Sequence, residues 1–176
     1  MVRSLNLQAC MGIDHCHSCA AQHGVLHPGN ILLELSENME PCVRIADFGA
    51  SAVLKDCGCR PFRGELCALP YRPPENLLHG DSCLRFDMWS IGCIVAETAL
   101  NKCLFGPLDG TQWGTLMAIF QLVGTPTDES WPGFSALPQF SKEIPSFALC
   151  YLKSRHEEDF FIQSMIEDTK ITICTF

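Results

Sequence analysis

Hydrophobic positions along the chain predict four helices, one strand pair and two long stretches with no period. Leu5, Leu7, Cys10, Met11, Ile13 and Cys16 or His17 recur at roughly helical spacing, which predicts an amphipathic helix packed on a core. From Cys19 to Asn30 the period is lost, with Gly24, Pro28 and Gly29 as breakers. Ile31-Leu32-Leu33 and Val43 to Ala46 are short apolar runs joined by the polar stretch Glu34 to Pro41, the pattern of a hairpin with a loose loop. Phe48 to Leu69 is again aperiodic, broken by Gly58, Pro61 and Gly64, and Asn76 to His79 reads as one short helical turn. Arg85 to Leu100 is apolar nearly all round, through Phe86, Met88, Trp89, Ile91, Cys93, Ile94, Val95, Ala96 and Ala99. A helix without a polar face has to be buried, so this one is expected to be the central post of the domain. Trp113 to Val123 sets Leu116, Ile119, Phe120 and Val123 on one stripe, and Glu157 to Ile166 sets Phe161, Met165 and Ile162 or Ile166 inward.

Composition narrows the class. A 47% hydrophobic share against 18% charged describes a folded globular chain, and 176 residues suit one domain with a real core. The net charge is −8 and the twelve Lys and Arg are scattered, so a concentrated basic face for nucleic acid is not expected. No apolar run approaches the roughly 20 residues of a membrane span, and Met1 to Gly12 lacks a signal peptide's apolar core. The expectation is an intracellular protein, of cytoplasm or nucleus. Twelve cysteines invite a metal reading, and His15-Cys16-His17-Ser18-Cys19 does place ligand types close together. The next pair, Cys57 and Cys59, is separated by one residue rather than the two of a zinc half-site, and small buried hydrophobes are the plainer reading.

The chemistry gathers in Val43-Arg44-Ile45-Ala46-Asp47-Phe48-Gly49, a strand-like run ending on an acid, an aromatic and a glycine. A strand that delivers a carboxylate to its own end can hold a metal ion over a reacting phosphate. Asn30 lies upstream, Pro73-Pro74-Glu75 downstream, and then the apolar helix opens Asp87-Met88-Trp89-Ser90-Ile91-Gly92. That order resembles the C-terminal lobe of a eukaryotic protein kinase. Tyr71-Arg72-Pro73-Pro74-Glu75, Gly124-Thr125-Pro126-Thr127 and Trp131-Pro132-Gly133 resemble the cyclin-dependent branch.

The resemblance covers about Leu7 to Thr172 and implies an α+β, mostly α fold. Helices bundle around a buried central helix with one small hairpin, in a partial kinase domain spanning 1–176, with 47–75 as its activation segment. It also implies that Asp47 and Asn30 hold the magnesium of Mg-ATP, with Phe48 and Gly49 completing the cofactor motif. His23 and Asp87 would support the loop, Asp87 doubling as a helix N-cap. Glu75 would pair with an arginine near the end of the lobe, where this chain has Asp168-Thr169-Lys170-Ile171-Thr172. The plain alternatives are a turn carboxylate for Asp47, a loop amide for Asn30 and a solvated acid for Glu75.

The departures fall on charge. Read without gaps, His23-Gly24-Val25-Leu26-His27-Pro28-Gly29-Asn30 is the catalytic loop, with Gly24 for its arginine, Val25 for its aspartate and His27 for its lysine. A second register, with Val25-Leu26-His27 as the strand entering the loop, needs an insertion and a compensating deletion. Neither register has a catalytic aspartate. Between Val53 and Pro70 there is no Ser, Thr or Tyr, and Ala68 stands where a bridging Thr belongs. Nothing before Leu5 supplies an upper lobe, which leaves cyclin docking doubtful. The expectation is a catalytically silent kinase homologue that binds a protein partner. The alternatives are an ATP-dependent Ser/Thr kinase whose gene model has lost its upper lobe and, more distantly, a Cys-rich metal-binding protein.

Overall fold

A computed structural model describes residues 2–35, 41–53, 59–60, 67–79, 82–106 and 110–137. The main elements are helices α1 (Val2–Ser18), α2 (Pro74–Leu77), α3 (Arg85–Leu100) and α4 (Gln112–Val123). Six short strands accompany them: β1 (Ala21–Gln22), β2 (Ile31–Leu35), β3 (Pro41–Ile45), β4 (Ala52–Val53), β5 (Cys59–Arg60) and β6 (Ser82–Cys83). They pair two by two, β2 with β3, β1 with β4 and β5 with β6, all antiparallel. The single expected hairpin is therefore accompanied by two further strand pairs. Two residues a side are too few to carry a periodic signal, which is why sequence alone did not separate them from loop.

Helix α3 is the post around which the rest packs. Its Ile91 and Ile94 join Ala9 and Ile13 of α1 and Leu26 in one buried cluster, against which Ile31, Val43 and Ile45 of the hairpin rest. Its Trp89 and Cys93 join Leu77, Leu78, Phe105, Leu116, Ile119, Phe120 and Phe134 in a second. Trp89 and Phe105 stack at 5.6 Å between ring centroids. Each such side chain removed from water contributes about 1.5–3 kcal/mol, so a helix feeding both clusters has little room for polar residues. Helix α4 opens on Thr111, whose hydroxyl accepts from the Gly114 N–H at 3.0 Å, and closes on Gly124 at φ +88°.

Three expectations need correction. In α1 only Ala9 and Ile13 are buried, while Leu7 and Met11 are 61% and 63% exposed. The burying stripe is narrower than the apolar pattern because α1 meets α3 and β3 along one line. Gly12 lies on that line, and a Cβ there would fall 2.7 Å from Ile45 Cδ1. The short helical turn begins at Pro74 rather than Asn76, since proline is at home in a first turn. Asp87 lies inside the first turn of α3, with Leu84 at the N-cap. The helix expected over Glu157 to Ile166 lies outside the described residues. Among the described residues no helix is long and apolar enough to cross a membrane.

The hairpin is seated by one side chain. Gln8 of α1 accepts from the Val43 N–H at 2.9 Å and donates to the Pro41 carbonyl at 3.3 Å, satisfying the open edge of β3. The register opposes Ile31 to Ile45 and Leu33 to Val43, and so brings Asn30 and Ala46 side by side, the Ala46 N–H donating to the Asn30 carbonyl at 2.9 Å.

Candidate functional site

The loop from His23 to Asn30 is held from beneath by one carboxylate. Asp87 is fully buried, with Oδ1 accepting from the Gly24 N–H at 2.8 Å and Oδ2 from the His23 N–H at 2.8 Å. The His17 ring, at the end of α1, reaches the same Oδ2 with Nε2 at 3.0 Å. Three donors on a buried carboxylate compensate for the water it has lost. Because α3 packs into both buried clusters, the loop inherits its position from a well-anchored helix.

His23 is also fully buried and ties the loop to the motif after β3. Its Nε2 meets the Ala46 carbonyl at 2.9 Å and its Nδ1 accepts from the Val25 N–H at 3.3 Å, a pair satisfied by the tautomer with its proton on Nε2. The ring meets Phe48 edge-on at 4.7 Å. Asn30, also buried, donates Nδ2 to the Val25 carbonyl at 2.8 Å. Gly24 sits at φ +81°, a conformation that L side chains rarely adopt. His27 turns its Nδ1 to the Gly29 N–H at 3.1 Å and caps the short 3-10 turn Pro28–Asn30.

Asp47 stands at the exit of β3 in left-handed backbone, φ +66° and ψ +62°, exposed and making no capping hydrogen bond. Gly49 leaves space beside it, since a Cβ there would lie 3.3 Å from Asp47 Oδ1. The chain then returns to the loop through β4, which pairs Ala52 with Gln22 and Val53 with Ala21. His23, Asn30, Phe48 and Asp87 thus form one connected group with Asp47 at its open edge.

Glu75 is elsewhere. It lies in the first turn of α2, with Oε2 sealed from solvent and without a hydrogen-bond partner among the described residues. Burial raises its carboxyl to about 7, against weaker opposing pulls from a backbone hydrogen bond and Arg85. It is not the solvated acid of the plain reading, and Lys170, its suggested partner, lies outside the described residues.

The segment leading to Glu75 is fastened by Arg72, Tyr71 and Ser90 of the quoted motifs, and by Cys67, which the sequence did not mark. The Arg72 Nε–H donates to the Cys67 carbonyl at 2.5 Å, and the Cys67 thiol, pushed by burial up to about 12, points at the Leu26 carbonyl at 3.4 Å. Ser90 donates to the Tyr71 carbonyl at 2.7 Å, and the Tyr71 hydroxyl donates to Glu97 at 2.9 Å. Burial and that carboxylate raise the Tyr71 hydroxyl well above its usual range. Gln22, fully buried, donates to the Cys83 carbonyl at 2.7 Å. No sequence signal could have singled it out, as a polar residue in an aperiodic run reads as loop. His17 is engaged with Asp87, and among the described residues no group of three or more His, Cys, Asp or Glu side chains could hold a metal ion.

Comparison with known proteins gives a consistent picture. The protein kinase domain model matches residues 1–169. The cell division control protein 2 homolog 2 of Trypanosoma brucei brucei is 35% identical over 145 residues, which cover 82% of this chain and 40% of that protein. Cyclin-dependent kinase B1-1 of Arabidopsis thaliana is 38% identical over 138 residues, 78% of this chain and 43% of that one. The chain therefore spans less than half the length of these relatives. A chain in the crystal structure of the yeast RNA Pol II CTD kinase CTDK-1 complex superposes with a TM-score of 0.72 at 27% identity, covering 82% of this chain and 45% of that one.

Proposed function

The chain belongs to the protein kinase family, with cyclin-dependent-kinase-like relatives, and from that membership we propose a homologue that binds but does not transfer phosphate. Val25 carries the reading. Its backbone is engaged at both ends, N–H to His23 and carbonyl to Asn30, so the loop backbone is held around it. Its side chain is aliphatic. It cannot take the substrate hydroxyl's proton, a role worth about 10²–10⁴ in rate. His27, in the lysine position, spends its Nδ1 on the Gly29 N–H, and Gly24 offers no side chain to hold a phosphorylated segment.

The donor set still fits a hard cation. Asp47 presents an exposed carboxylate, and the Asn30 amide is oriented by its Nδ2 contact so that its oxygen is the remaining donor. When bound there, a magnesium ion would supply positive charge against nucleotide phosphates. Asp47 and Asn30 would hold it, while Phe48 and Gly49 fix the backbone behind Asp47. With only these protein ligands, nucleotide binding is weak. Leu32, Leu33 and Leu35 of the hairpin, with Phe48 and Val53, are exposed, and this apolar surface suits a protein partner.

The test is a radiolabelled ATP assay with a generic basic acceptor protein. No incorporation above a buffer blank is expected, and steady incorporation lost in Asp47→Ala would overturn the reading. The intact frame of His23, Asn30 and Asp47 favours a second reading, an ATP-dependent Ser/Thr kinase. Transcript sequence upstream of Met1 and across codons 24 to 27 separates the two.

A further inference from the structure

We propose that Cys59 and Cys83 form a redox pair, closing a cross-strand disulfide that ties the segment after Asp47 to the entry of α3. Strand β5 pairs antiparallel with β6, with Cys59 directly opposite Cys83 and Arg60 opposite Ser82. Residues opposed in an antiparallel ladder have Cα atoms about 4.5–5.5 Å apart, within the roughly 4.4–6.8 Å that a disulfide spans. The register alone brings the two positions within bonding range. Cys83 carries a free thiol and is only partly buried, so an oxidant of small size has access.

The position of Cys83 is fixed independently of its thiol. The fully buried Gln22 donates Nε2 to the Cys83 carbonyl at 2.7 Å, and Gln22 immediately precedes His23 on the loop. Four residues beyond Cys83 stands Asp87, which holds that loop. A bond at this point therefore closes a ring from residue 59 to residue 83 beside the contacts of Gln22 and Asp87. The ring includes Cys67, Tyr71, Arg72 and Glu75.

The oxidant is hydrogen peroxide. One thiolate attacks a peroxide oxygen, the O–O bond breaks and, with one proton, water leaves, giving a sulfenic acid. The second thiol then attacks that sulfur, the S–O bond breaks, and a second water leaves. Two thiols and one peroxide become one disulfide and two waters, the sulfur pair losing two electrons. An added dithiol reverses it. Such bonds in reducing compartments are transient and regulatory rather than structural.

The experiment uses the full purified chain, treated with hydrogen peroxide, blocked with N-ethylmaleimide and digested with trypsin. Cys57 shares a tryptic peptide with Cys59, and Cys67 shares one with Cys83, so fragment-ion mapping must place the bond. The expected result is a crosslink from Cys59 to Cys83. It should persist in Cys57→Ser and vanish in Cys83→Ser. Oxidation should also raise the melting temperature by roughly 5–10 °C, and dithiothreitol should reverse the rise. A bond placed from Cys83 to Cys57 or Cys67 would overturn the proposal. So would alkylated Cys59 and Cys83 in a sample whose other thiols had been oxidised. Mapping of the unmutated chain decides the matter even if a variant does not fold. It is also independent of whether the chain binds nucleotide.

Discussion

Asp87 and Glu75 both stand in the first turn of a helix, Asp87 fully buried and Glu75 half-buried with one oxygen sealed from solvent, and they end in opposite circumstances. Asp87 has drawn three donors to itself, two of them loop backbone N–H groups. Glu75 leaves one oxygen sealed and without a hydrogen bond among the described residues, and its carboxyl is raised to about 7. A buried carboxylate is therefore not informative by its burial. What distinguishes the two is whether backbone has been organised around the charge. Around Asp87 the loop backbone is organised, although His23 to Asn30 carries no Asp, Glu, Arg or Lys.

The largest effect should come from removing the satisfied member. Asp87→Ala leaves the His23 and Gly24 N–H groups buried without an acceptor and should cost about 3–5 kcal/mol. Urea unfolding measures it, and a loss under 1 kcal/mol would mean that the loop is held by something else. Asp87→Asn should fall between, since one amide oxygen replaces two carboxylate oxygens.

Glu75 should respond with the opposite sign. Its folded pKa, about 7, lies above the 4.5 of a free glutamate, so the folded state binds the extra proton between those values. Its contribution is fully present below about pH 4.5 and is lost as pH rises to about 7. Stability from this group should therefore fall across that window and level off above it. Glu75→Gln should flatten the fall and stabilise the chain at pH 8 by something on the order of 1–3 kcal/mol. Chemical denaturation at pH 5, 6, 7 and 8 checks it. An unchanged slope in the variant would show that Glu75 has found a cation elsewhere in the chain.

A smaller effect tests the proposed loss of chemistry. Gly24→Arg, Val25→Asp and His27→Lys together give the loop, at constant length, the charges that the resemblance implies. Gly24→Arg places a side chain at φ +81°, a strain of about 1–3 kcal/mol, and His27→Lys removes the cap on the Gly29 N–H. The triple variant should be modestly less stable and still without phosphate transfer, because positioning and charge neutralisation outweigh the base alone. Turnover from the triple change by itself would reverse that ranking.

The fold was legible where burial is periodic. Helix α3 showed itself through Phe86 to Ala96 because a helix between two cores is apolar all round, and α4 did so through one stripe. The β2–β3 hairpin followed from two apolar runs and a polar joint. Leu7 and Met11 misled because the contact line of α1 is narrowed by the close approach at Gly12, which depends on Ile45 across the fold. The frame residues His23, Asn30 and Asp87 were legible only through their resemblance to a motif. The partners that hold it were not, since His17, Gln22 and Gln8 act through contacts with residues far along the chain. Pairs of two-residue strands have no period to read.

Asp47 is a third carboxylate, neither half-buried with a sealed oxygen like Glu75 nor bonded to backbone like Asp87, and it sharpens the contrast with the smallest expected effect. An exposed acid keeps its water until a cation replaces it, so its worth depends on what else grips that cation. In the proposed site Asn30 is its companion, and two protein ligands would leave most of a magnesium shell to water and phosphate. A ligand at 100 times its dissociation constant would add about 2.7 kcal/mol of stability. For a chain of this size that is roughly 5–10 °C in melting temperature. Millimolar magnesium-ATP should instead move the transition by less than about 1 °C, and Asp47→Ala should abolish that small response. A shift of several degrees that disappeared in Asp47→Ala would show that the phosphates are anchored by more of the chain than the loop frame, and that the frame still serves a nucleotide.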